Sequence, residues 1–209
     1  MTQNADLTGP ASLEWGLAAL AIPGEKESGD LHLVQPFSNG ALVAVVDGLG
    51  HGSEAAVAAR YAVESLKVKP DDSVITLVKR CHESLRATRG AVLSMAAFNT
   101  AEDAMTWLGV GNVEGILFRL VADEKTSYES LLSRRGVVGA RLPPLNAAIL
   151  PVARGDTLIF ATDGIRSGFE SGLDLRASPQ EIADRILDQH NMETDDALVL
   201  VVRYIGNTP

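Results

Sequence analysis

Four acidic residues bound strongly apolar runs, and they are the residues of this sequence best placed to do chemistry. Asp47 follows Leu42-Val43-Ala44-Val45-Val46 and precedes Gly48. Asp163 follows Leu158-Ile159-Phe160-Ala161-Thr162 and precedes Gly164. Asp30 ends a polar turn just before Leu31, and Asp195, with Asp196 beside it, directly precedes Ala197-Leu198-Val199-Leu200-Val201-Val202. A strand interior excludes such charges, whereas strand ends can present them together at one rim of a sheet. Carboxylates gathered in this way repel one another and ionise poorly unless a cation neutralises them. An all-oxygen donor set suits Mg²⁺ or Mn²⁺, which take carboxylates, backbone carbonyls and several retained waters. Two such ions can clamp a phosphoryl group and supply a hydroxide nucleophile. Gly48 fits this reading, because without a Cβ its carbonyl can approach a metal.

An acid before a glycine at a strand end is commonly a turn former or a helix cap, and for any one position that is the better reading. Four in order, each opening or closing an apolar strand, favour a shared site. Gly48, Gly50 and Gly52 invite comparison with a dinucleotide-binding loop, but Ser53 occupies the place of the required further glycine. His51 could donate a proton to a leaving group, contact phosphate or cap the helix that follows. His32, His82 and His190 read as solvated or packing residues, and no His-x-x-x-His zinc pattern is present. There is no Gly-x-Ser-x-Gly elbow for a nucleophilic serine. Cys81, the single cysteine, has no activating partner and reads as a buried thiol.

The elements that must position these acids follow from periodicity and turn residues. Strands are expected at 14–22, 31–37 and 41–47, the last continuously apolar and so buried on both faces. A helix over 53–67 with Ser53 as its cap follows, then a second capped by Asp71 or Asp72 and running to about Ala87. Strands at 91–99, 104–109 and 114–121, a weaker one at 127–134, and a buried run at 157–162 lead to a helix over 179–189 capped by Ser178. A strand over 197–204 closes the chain. Hairpin neighbours outnumber βαβ units, so antiparallel sheets with segregated helices are favoured, the helices packed outside a two-sheet core.

With 209 residues and no dividing linker, the chain reads as one domain, 1–209. Its net charge of −9 disfavours nucleic acid as a partner, and no basic cluster stands out beyond Arg134-Arg135. No apolar run is long enough to span a membrane. The start Met1-Thr2-Gln3-Asn4-Ala5-Asp6 lacks the basic opening of a signal peptide, which places the chain in the cytoplasm.

Taken in order, Ser28-Gly29-Asp30, the stretch Val45-Val46-Asp47-Gly48-Leu49-Gly50-His51-Gly52 with its Ala-rich helix, Phe160-Ala161-Thr162-Asp163-Gly164 and Asp195-Asp196-Ala197 resemble the metal-dependent serine/threonine protein phosphatases of the PPM family, in its bacterial branch. Gly109-Val110-Gly111-Asn112-Val113-Glu114 and 135–143 are similar to the central segments of its stand-alone stressosome phosphatases. The resemblance spans Ser28 to about Tyr204. It implies an α+β fold, an αββα sandwich of two antiparallel sheets flanked by helices, with a centre of two Mn²⁺ or Mg²⁺ ions at one end. By position, Asp47 would bridge the ions and the Gly48 carbonyl would bind one of them. Asp163 and Asp195 would hold one ion, and Asp30 the other, directly or through water, with no role assigned to Asp196. Leu49 stands where the larger eukaryotic-type enzymes carry histidine. No arginine precedes Asp30 where those enzymes grip phosphate, and Lys26 is the cation nearest that place.

The expected reaction is hydrolysis of phosphoserine or phosphothreonine by metal-activated water. The implied partners are phosphorylated stressosome proteins of the RsbS/RsbR kind, with neither nucleic acid nor membrane involved. A catalytically weak, phosphatase-like module that docks a regulatory partner is the alternative, and a hydrolase of small phosphoesters is a third reading.

Overall fold

The computed structural model describes residues 12–120 and 126–206. The opening residues read above as lacking a leader, and Val121 at the end of one expected strand, lie outside that description. Within it the chain order is β1 (Leu13–Leu20), β2 (Asp30–Phe37), β3 (Gly40–Gly48), α1 (Ser53–Lys67), α2 (Val74–Ser84), β4 (Ala91–Asn99) and β5 (Ala104–Val110). There follow β6 (Glu114–Leu120), β7 (Thr126–Leu131), β8 (Ala148–Pro151), β9 (Thr157–Ala161), α3 (Pro179–His190) and β10 (Ala197–Tyr204). One sheet has the order β1-β10-β9-β6-β7 and the other β2-β3-β4-β5-β8, with every pairing antiparallel.

The alternation of side chains along the central strands explains the layers. In β3, Leu42, Ala44 and Val46 pack with Ala59, Ala62 and Leu66 of α1 and Leu77 of α2. The intervening Ala41, Val43 and Val45 meet Leu198, Leu200 and Val202 of β10 between the sheets. On the far side of β10, Val199 and Val201 pack on Ile182 and Ile186 of α3. Runs that are apolar at every position are therefore strands with two buried faces, and the molecule is an αββα sandwich, as the element order implies.

Two local expectations need correction, and one strand has no counterpart in the sequence reading. The cap of α2 is Ser73, whose hydroxyl accepts from the Thr76 N–H, rather than Asp71 or Asp72. Ser53 is the first residue of α1 and not its cap. The chain enters that helix through Gly52 at φ 73°, with no side-chain capping bond. A left-handed backbone at that point favours glycine over any capping side chain. Finally, β8 is a four-residue edge strand paired only with β5, and its mostly exposed residues carry no alternation to read. By contrast α3 is capped by Ser178 as expected, with Glu181 completing a capping box.

Leu200 is fully buried between the sheets. Leu200→Ala should cost about 3 kcal/mol through lost burial and the cavity left behind. Chemical denaturation should show this as a lower midpoint at an unchanged slope.

Candidate functional site

β2 and β3 pair with Asp30 directly opposite Asp47, which puts two carboxyls at one end of one sheet. Asp163 lies just beyond β9 and Asp195 just before β10. These strands run antiparallel with Ala161 opposite Val199, so both acids share one edge of the second sheet. The two edges are joined by Asp196. Its carboxylate accepts from the Gly29 N–H at 2.7 Å and the Ile22 N–H at 2.8 Å, and the Gly29 carbonyl in turn accepts from the Gly48 N–H at 3.0 Å. Asp196, only 3% exposed, is thus the tie that holds the loop before β2 against β10.

The electrostatics of the cluster are those of crowded, sheltered carboxyls. Burial, with the charges of Asp196, Asp163 and Asp195 adding to it and a Thr162 hydrogen bond opposing it, raises the Asp30 carboxyl to about 7. Burial first, then Asp30 and the remaining acids, raise Asp47 to about 9. Asp163 is pushed up by burial and by Asp195, against a hydrogen bond from Asn112 Nδ2 to its Oδ2 at 2.7 Å. Asp30 is 4% exposed, and its Oδ2 is buried without a hydrogen-bond partner.

A buried carboxylate oxygen without a donor, among acids that suppress one another's ionisation, is the environment a hard cation relieves. The donors on offer are all oxygen, which matches Mg²⁺ or Mn²⁺ in kind. Among the described residues no three His, Cys, Asp or Glu side chains form a ready-made cage. Mg²⁺ is commonly bound through one or two carboxylates while keeping several of its own waters.

The flanking residues behave differently from their appearance in the sequence. Gly48 is required first by packing, since a Cβ there would lie 2.1 Å from the Ala55 carbonyl oxygen of α1. His51 does not face the acids through a hydrogen bond. Its Nδ1 lies 2.9 Å from Glu25 Oε1, and its side chain is 62% exposed. Lys26 is exposed, and its neighbours Glu25 and Glu27 pair with His51 and Arg60. Cys81 is buried in α2, as expected, and its thiol is raised to about 11 by burial. Two residues gained roles that the sequence reading had not assigned: Asn112, which orients Asp163, and Asp196. A polar residue in the turn after β5 was the available signal for Asn112.

An αββα sandwich with an acidic rim joining its two sheets is the architecture of PP2C-type phosphatases. Residues 38–205 match the family described as Stage II sporulation protein E (SpoIIE), and the chain belongs to that family. It is a phosphatase, a hydrolase. Among curated relatives it is 25% identical over 176 residues to the phosphoserine phosphatase RsbX of Bacillus subtilis (strain 168), covering 83% of this chain and 85% of that protein. A chain from a structure of the bacterial stressosome superposes with a TM-score of 0.82 at 30% identity, over 91% of this chain and 99% of that one. RsbX in complex with magnesium has the same fold, with a TM-score of 0.81 at 22% identity over 93% of this chain and 96% of that one. Among the described residues no helix is long and apolar enough to cross a membrane.

The raised carboxyls make a pH prediction for the cation-free protein. Their folded-state pKa values, about 7 for Asp30 and about 9 for Asp47, exceed the ordinary 3.8. Their contribution to stability is therefore fully present below about 4 and is lost as pH rises through 7 and then 9. The melting temperature in chelator should fall between about pH 5 and pH 9. Asp30→Asn should flatten the lower half of that decline. A melting temperature that climbs across the window would contradict the assignment.

Proposed function

We propose that this chain is a metal-dependent protein serine/threonine phosphatase that acts on phosphoserine or phosphothreonine of stressosome-type signalling proteins. Its partners are RsbS/RsbR-like phosphoproteins, and it works as one domain, 1–209, in the cytoplasm as an RsbX-like negative regulator of the stress response. The observation that carries the reading is the pairing of Asp30 with Asp47 across β2 and β3, with Asp30 Oδ2 buried and unpartnered. The likeness to RsbX and to a stressosome chain supports the choice of substrate.

Asp47 and the Gly48 carbonyl would hold two Mn²⁺ or Mg²⁺ ions together with Asp163, Asp195 and Asp30. When bound, the ions supply a hydroxide nucleophile near neutral pH and neutralise charge on the phosphoryl group. The protein's own residues prepare the place. Asp30 and Asp47 give up the protons that burial and mutual repulsion hold on them. Asn112 Nδ2 fixes the Asp163 carboxylate by its hydrogen bond to Oδ2. Asp196 spends both oxygens on backbone N–H groups and so keeps the Gly29-Asp30 segment beside Gly48. No side-chain nucleophile takes part, so water attacks phosphorus directly and the serine or threonine oxygen leaves with a proton.

Asp47→Asn keeps the shape of the side chain and removes its charge. Its kcat/KM on a phosphoserine protein in Mn²⁺ should fall at least about a hundredfold, a loss that even partners one shell beyond a metal ligand can cause. Retained activity would overturn the reading. A wild-type protein that binds a phosphoprotein without turning it over, across Mn²⁺ and Mg²⁺ titrations, would establish a docking module instead. Faster turnover of para-nitrophenyl phosphate than of the phosphoprotein would point to small esters.

A further inference from the structure

The segment between β7 and β8, residues 132–147, contains Arg134, Arg135 and Arg141 and no acidic residue, in a chain whose net charge is −9. All three arginines are exposed, and none forms an ion pair among the described residues. Arg86, Arg89 and Arg119, by contrast, face Glu83, Glu54 and Glu129.

Backbone hydrogen bonds lay residues 134–141 of this segment along the acidic rim. Val138 exchanges two bonds with Ala91, at 2.9 and 2.8 Å, and Ala91 is the β4 partner of Gly48. At its other end the Arg134 carbonyl accepts from the Gly111 N–H at 2.8 Å, one residue before the Asn112 that holds Asp163. Between these anchors Val137 and Arg141 exchange bonds at 2.8 and 2.9 Å, closing a tight hairpin. The hairpin returns Arg141 beside Gly136, whose Cβ, if present, would lie 2.9 Å from the Arg141 carbonyl. His82 Nδ1 on α2 accepts from the Gly139 N–H at 2.9 Å and fixes the tip.

The result is a fixed strap that runs from the neighbour of Gly48 to the neighbour of Asp163 and carries three unneutralised guanidinium groups. A carboxylate-rich centre repels an acidic substrate, so positive charge at its edge is needed to bring one in. Guanidinium groups bind carboxylates through paired, directional hydrogen bonds, and a strap held by its backbone has little ordering left to lose.

We propose that Arg134, Arg135 and Arg141 form a docking surface for an acidic segment of the phosphoprotein substrate, flanking the phosphorylated residue. The proposal rests on the phosphoprotein phosphatase reading, and it adds the sequence preference that such an enzyme would show.

The test uses synthetic phosphoserine peptides with glutamate, glutamine or lysine flanks, with para-nitrophenyl phosphate as a flank-free control. Wild-type protein should favour the glutamate peptide in kcat/KM, and the preference should shrink as salt is added. The Arg134→Ala/Arg135→Ala/Arg141→Ala variant should lose about tenfold on that peptide through KM, the scale expected of three exposed ion pairs. Its turnover of para-nitrophenyl phosphate and of the glutamine peptide should be unchanged. Arg134→Glu/Arg135→Glu should shift the preference toward the lysine peptide, which distinguishes docking from a loss of folding. Fluorescence anisotropy with the same peptides reads docking apart from turnover. If wild-type protein prefers the glutamate peptide in binding but hydrolyses nothing, the phosphatase reading fails and the docking surface stands. Equal handling of the three peptides by wild-type protein, or an equal loss on para-nitrophenyl phosphate in the alanine variant, would overturn the docking surface.

Discussion

Asp30 and Asp47 face each other across a pair of antiparallel strands, both sheltered from water, with further acids close by. Like charges directly opposite in a sheet are unfavourable, and burial adds to the penalty. Such a pair persists only if it holds protons or shares a cation. The rest of the structure depends on this constraint, because every nearby feature either keeps the acids together or offsets their repulsion.

What keeps them together is the sandwich itself. Each sheet contributes strand ends to the same rim, and the apolar faces of β3 and β10 that meet between the sheets fix those ends in place. Asp196 then links the rim across the layers through two backbone N–H groups. The close approach of α1 to Gly48 completes the arrangement, since any side chain at that position would displace the Ala55 carbonyl. The arginine-bearing hairpin at 134–141 borders the same rim with charge of the opposite sign. A strongly acidic centre and a basic edge are complementary parts of one problem: admitting a cation and then an acidic substrate.

Much of this could be read from the sequence, and the exceptions have physical causes. The helix over 53–67 and the strands over 91–99 and 197–204 have the observed bounds, because the helix has a long alanine-rich buried face and the strands are apolar runs buried almost throughout. The start of α2 was displaced toward Asp71 and Asp72, good caps by residue type, because side-chain identity alone does not say which hydroxyl or carboxyl meets the free N–H groups. β8 was invisible because an exposed edge strand of four residues has no inward face to mark it. In the site, the acids were legible as charges bounding apolar runs. The division of labour between Asp195 and Asp196 was not, since adjacent aspartates look alike until one is buried against Ile22 and Gly29. His51 drew attention by its neighbours in sequence, yet its partner is Glu25, which comes from another loop. Arg134-Arg135 was visible as a pair, but only the hairpin at 137–141 brings Arg141 back to it.

The claim at the centre of this account is that the acidic rim is a cation site. Anomalous diffraction from crystals soaked in Mn²⁺ tests it most directly. The account predicts manganese peaks about 2 Å from carboxylate oxygens of Asp47 and of at least one of Asp30, Asp163 and Asp195. Crystals that contain Mn²⁺-activated enzyme yet show manganese only elsewhere on the molecule would contradict it.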